Sequence, residues 1–249
     1  MSLFLIPSVS LAEDWEEQSS NHFVVYYKDA PADFINNVNE SAEQYYSSIT
    51  NELGFTRYNG WLWENKATIY IYNDAQDYLN ATKQPSWSAG LAAYREKKIT
   101  TYIADAGFFD TILPHELGHI IFREFIGFRS DIPNWLDEGV ASCQERARRF
   151  GSSKIVRRAL AEKRFVPLTE LEKVSIYSSK DKDFVELFYA EAASVVYFLL
   201  TNFNRRDFVD FCTALKKGKS FNEALHEGYP RFENLDELNR QWLRFLENG

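Results

Sequence analysis

The chain has 249 residues, 45% of them hydrophobic and 16% aromatic, which is ample for one large domain or two intimate lobes with a packed core. Its net charge of −8 and pI near 5.2 speak against nucleic acid, which is bound through concentrated positive charge, and against an anionic membrane surface as the main partner. Two cysteines, Cys143 and Cys212, form no C-x-x-C pair, and whether they bond cannot be deduced from sequence.

Residues 1–12 are apolar and end in Ser10-Leu11-Ala12, with small residues where a signal peptidase cuts. They read as the remnant of a signal peptide on an exported, periplasmic or extracellular protein, with residues 13–249 as a single domain. The apolar run is too short to span a bilayer, so no integral membrane segment is expected.

Residues 23–28 alternate and are rich in β-formers, which predicts a strand. Apolar residues recurring every three to four positions predict an amphipathic helix over 31–53. ATIYIY at 67–72 is a second strand, and 74–82 a short helix capped by Asp74. Residues 91–94 and 99–104 flank Arg95-Glu96-Lys97-Lys98 and suit a hairpin. From Asp110, expected to cap the next helix, the pattern turns helical, with further helices over 133–149, 152–163, 184–203, 205–217, 220–227 and 231–247. Strands first and helices second read as α+β, a mixed-sheet lobe over 13–109 followed by a helical lobe over 110–249.

His115-Glu116-Leu117-Gly118-His119 carries the chemistry. Four residues apart on a helix, His115 and His119 point the same way and can share one metal ion, while Glu116 can hold a water that the metal polarises. A catalytic zinc takes three protein ligands and leaves a position open. A third histidine six residues on is excluded, because that place holds Phe125. The other common solution is a glutamate on a following helix, and Glu138 in Trp135-Leu136-Asp137-Glu138-Gly139 lies at a spacing that allows a helix end, the loop 127–133 and an antiparallel return. Gly118 and Gly139 are expected where the two metal-bearing helices approach.

HELGH followed by NWLDEGVAS resembles the gluzincin metallopeptidases, and most closely the small bacterial peptidase MA-like domains. The looser likeness extends to HFVVYYK at 22–28, to FVPLTEL at 165–171 and to the Tyr- and Ala-rich stretch 189–200. The resemblance implies a zincin-like fold with the cleft between sheet and helices, and Zn2+ held by His115, His119 and Glu138. It implies Glu116 as general base, and a later Tyr or His that steadies the oxyanion. Tyr189 matches best, with Tyr197 and Tyr177 in reserve and His226 a weaker choice. Members of the aminopeptidase N type carry a G-x-M-E-N segment, and the comparable Gly90-Leu91-Ala92-Ala93-Tyr94 has alanine in its glutamate place. An endopeptidase acting on peptide or protein substrates is therefore expected, and the alternative is a catalytically silent domain used for binding or scaffolding. Residues 99–103 or 90–94, just before the motif helix, are the natural edge for an extended substrate to pair with. The basic run Arg146, Arg148, Arg149, Lys154, Arg157, Arg158 reads as a solvated helix face or as a patch near the cleft for an acidic partner.

Overall fold

Two periodicities divide the molecule, and the boundary between them is where the motif helix lies. The computed structural model describes residues 15–55, 61–84, 86, 88–103, 107–129, 131–174, 176, 179 and 181–248. The expected signal remnant and Tyr177 lie outside the described residues.

β1 (Glu16–Ser19), β2 (Phe23–Tyr27), β3 (Ala67–Tyr72), β4 (Gly90–Ala93) and β5 (Lys98–Tyr102) form one mixed sheet in the order β1-β2-β3-β5-β4. β2, β3 and β5 run parallel, and β1 and β4 close the edges antiparallel. In β3 the alternation of ATIYIY is realised literally, with Ala67, Ile69 and Ile71 buried and the residues between them half-exposed. α1 (Ala32–Leu53) makes the crossover from β2 to β3 and buries Ile35, Val38, Ala42, Tyr46, Ile49 and Leu53 on one face. α2 (Ala75–Thr82) is capped as expected, Asp77 N–H donating to the Asp74 carboxylate at 2.9 Å.

A π-helical turn, Phe108–Ile112, leads into α3 (Leu113–Ile126), the motif helix. Asp110 falls inside that turn and caps nothing, which corrects the expected start; Pro114 occupies the first turn of α3, where no amide partner is lost. α4 (Asn134–Ser142) returns antiparallel after the loop. α5 (Arg146–Ala161), the short α6 (Leu168–Leu171), α7 (Lys182–Thr201), α8 (Arg205–Lys216), α9 (Phe221–Gly228) and α10 (Leu235–Asn248) complete the helical part. The architecture is α+β as read from the sequence, and sheet and helices share one continuous core.

Two local expectations are revised. The chain breaks at Cys143–Glu145 rather than near Gly151, so a helix over 133–149 becomes α4 and α5. The break leaves Glu145 extended (φ −76°, ψ 117°), the conformation that turns its side chain back toward α3. Gly118 does meet α4, since a Cβ there would lie 2.9 Å from Ala141 Cα. Gly139 serves a different neighbour: a Cβ on it would strike the Ala192 carbonyl, so it admits α7.

α7 is long and apolar enough to cross a membrane by length and composition, yet here it is the helix around which α4 and α5 pack. One of its residues breaks the apolar rule. Glu191 is wholly buried, with the Val166 amide donating to its Oε1 at 2.9 Å. Burial outweighs that bond and lifts the carboxyl to about 8. The unfolded chain therefore binds fewer protons than the folded one between about pH 4.5 and 8, and stability falls as pH rises across that window. Thermal melts of wild type and Glu191→Gln should differ little near pH 4.5 and diverge by a few kcal/mol at pH 8.5 in favour of the variant; parallel pH profiles would refute the assignment.

Candidate metal centre

α3 and α4 bring three side chains to one point. His115 and His119 lie one turn apart, with their Nε2 atoms separated by 3.1 Å, and Glu138 Oε2 lies 3.5 Å from each of those nitrogens. His119 and Glu138 are buried, and His115 opens toward a cleft. A tetrahedral ion with bonds of about 2.0–2.1 Å has ligand-to-ligand edges of about 3.3 Å. The observed triangle thus has the size of a coordination face, and the residues present fit a divalent cation on geometry as well as on donor type.

Carboxylates back both imidazoles. His119 Nδ1 is 3.1 Å from Asp137 Oδ1, and His115 Nδ1 is 2.8 Å from Glu145 Oε1. Such partners hold Nδ1 as the donor, which leaves each Nε2 lone pair facing the other ligands. Each carboxylate is anchored in turn, Asp137 by Arg123 at 2.9 and 2.8 Å and Glu145 by Arg148 at 3.0 Å.

Burial alone would push His115 down, but its bonds to Glu138 and Glu145 more than reverse this and raise it to about 9. His119 is likewise raised despite burial, by the charges of Asp137 and Glu138. Burial would raise Glu138 as well, and the two imidazoles instead hold it well below the usual carboxylate range. The raised imidazoles carry the positive charge that balances Glu138, and a dication held by the two imidazole nitrogens and one carboxylate would take over that role.

Glu116 sits beside this triangle at the mouth. Burial, helped by Glu138 and Glu145, raises its carboxyl against the pull of the two imidazoles, in the direction a proton acceptor working near neutral pH requires. A Cβ on Gly90 would come within 2.9 Å of Glu116 Oε1, so the start of the edge strand β4 passes directly over it. His115, Glu116, Gly90, Arg148 and Tyr189 border a cleft of about 680 Å³. Tyr189 stands against His115, ring centres 6.4 Å apart, under the Arg148 guanidinium at 4.9 Å.

The structure therefore gathers His115, Glu116, His119, Glu138 and Tyr189. Tyr197 packs against Arg149 instead, His226 approaches the Phe232 carbonyl at 3.2 Å, and His22 pairs with Glu43 at 2.6 Å. The basic run splits. Arg148 belongs to the cleft wall and Arg149 is bonded to Glu52 at 2.5 Å, while Arg146, Lys154, Arg157 and Arg158 are exposed. Asp137, Glu145, Arg123 and Tyr94, whose ring lies 5.6 Å from that of His119, escape a motif search. Only Asp137 left a trace, an acid adjacent to the third ligand.

A family model described as the Peptidase MA superfamily matches residues 55–248. A search of curated proteins returns no match.

Proposed function

The chain belongs to the Peptidase MA superfamily, and on that footing we propose that it is a zinc-dependent peptidase of the gluzincin type, acting within polypeptides rather than from their amino ends. The observation that carries this reading is the triangle of His115, His119 and Glu138 with Glu116 at its mouth. Bound zinc supplies Lewis-acid activation of a water molecule and of the scissile carbonyl.

The residues of the chain do the rest. Glu116 accepts a proton from the attacking water and delivers it to the departing amine nitrogen, a role suited to its raised pKa. Asp137 and Glu145 keep the ligand imidazoles oriented. Tyr189, beside His115 in the cleft, is the donor for charge developing on the carbonyl oxygen. The alanine at position 93, where a glutamate would grip a free amino terminus, supports cleavage within a chain.

β4 is a sheet edge and its first residue lies over Glu116, so an extended substrate that pairs with it reaches the metal-binding triangle by main-chain bonds. In a paired strand only alternate residues direct their N–H toward the partner. A set of substrate peptides, each N-methylated at one amide, should show KM raised about 2–10-fold at every second position, the worth of one hydrogen bond. A flat response would remove strand pairing from the scheme.

The decisive test is metal analysis of the purified chain, followed by incubation with a mixed peptide library and mass spectrometry of the products, before and after chelation. One zinc per chain with chelator-sensitive internal cleavage is expected. Bound zinc without any cleavage would favour a silent binding domain, and cleavage that survives exhaustive chelation would refute the proposal.

A further inference from the structure

The His119 side of the site is braced by a residue for which hydrolysis itself has no use. Arg123 lies one turn beyond His119 on α3. Its Nε and Nη2 approach the same oxygen of Asp137, Oδ2, at 2.9 and 2.8 Å, and Oδ1 is left to His119 Nδ1 at 3.1 Å. Its remaining nitrogen, Nη1, donates to the Arg129 carbonyl at 2.7 Å, in the loop that joins α3 to α4. Arg129 Nη1 in turn donates to the Leu215 carbonyl on α8 at 2.5 Å. On its other side the guanidinium carbon lies 6.0 Å from the centre of the Tyr94 ring, and that ring packs on His119.

One planar group therefore reaches a ligand histidine through Asp137, while its bond to the Arg129 carbonyl and its place beside the Tyr94 ring hold the guanidinium itself in position. A lysine, with a single compact ammonium, cannot reproduce the fork. Resting on the metallopeptidase reading of this same site, we infer that Arg123 is the positioning residue of the metal centre. By engaging Oδ2 of Asp137 it holds Oδ1 against His119 Nδ1–H, which keeps the Nε2 lone pair directed at the point shared with His115 and Glu138.

The test reads zinc affinity rather than turnover. The metal-stripped full chain is titrated with zinc against a chromophoric chelator, and melted without metal, as wild type, Arg123→Gln, Arg123→Lys, Asp137→Asn and the double variant Arg123→Gln/Asp137→Asn. Arg123→Gln and Asp137→Asn should each weaken zinc binding about 10–100-fold, the usual effect of losing an outer partner of a ligand histidine. Arg123→Lys should lose less. The double variant should bind zinc no more weakly than Asp137→Asn, because the arginine acts through that carboxylate. An ion pair that merely holds the fold would lower the melting temperature and leave the affinity of the folded protein unchanged, or would give losses that multiply in the double variant; either result overturns the inference. If Arg123→Gln does not fold, Arg123→Lys/Asp137→Asn compared with Asp137→Asn makes the same decision. A wild-type chain that binds no zinc refutes the peptidase reading together with this inference, whereas wild-type binding that Arg123→Gln leaves intact refutes the inference alone.

Discussion

Glu116→Gln is expected to abolish peptide cleavage while sparing the metal. The amide matches the carboxylate in size, so the tight approach of Gly90 and the packing of α3 are undisturbed. What disappears is the capacity to take a proton. A positioned general base contributes about 10²–10⁴-fold to rate, so kcat should fall by that factor, with zinc stoichiometry and zinc-dependent melting unchanged. Product quantification by mass spectrometry at saturating peptide, beside metal analysis of the same preparation, makes the comparison. A variant that keeps more than about a hundredth of the wild-type kcat would mean that another group takes the proton, since the 10²-fold lower bound would then be missed.

The sequence exposed the part of this site that rests on helical periodicity. His115 and His119 had to share a face once α3 was a helix, and the strand and helix alternation of β2, β3 and α1 declared itself in apolar spacing. Glu138 was legible because the number of residues to it matches a loop and a reversal. Periodicity says nothing about what comes from elsewhere in the fold. Glu145 reaches His115 only because the chain leaves helical geometry between α4 and α5, an event with no glycine or proline to announce it. The break expected between 149 and 152 does not occur, and Gly151 lies within α5 with open space around it. Gly139 was read correctly as a close approach and assigned to the wrong neighbour, because nothing local shows that α7 rather than α3 packs on that face of α4. Tyr94 comes from the hairpin and Arg123 from the next turn of the motif helix on the face of His115 and His119, and nothing in the spacing shows that this hairpin ring packs beside that arginine and His119.

The counterpart of the Glu116 experiment is Glu138→Gln, which should lose the metal and the activity together. Glu138 is the only one of the three converging groups that brings a negative charge, and it lies equally far from both imidazoles. If roughly 10–16 kcal/mol of zinc binding is shared among four ligands, one of them is worth about 3–4 kcal/mol, or about 10²–10³-fold in affinity. At free zinc of 100 times the wild-type Kd, the wild-type fold gains about 2.7 kcal/mol and the variant about 0.4 kcal/mol or less. For a domain of this size that is a rise in Tm of about 5–10 °C against about 1 °C or less. The two substitutions thus separate what their proximity joins. Glutamine at 116 leaves the zinc-induced shift and removes turnover, and glutamine at 138 removes both. A zinc-induced shift of wild-type size in Glu138→Gln would show that the cation is held without this carboxylate, and Glu138 would then be a buried acid that merely neutralises two histidines.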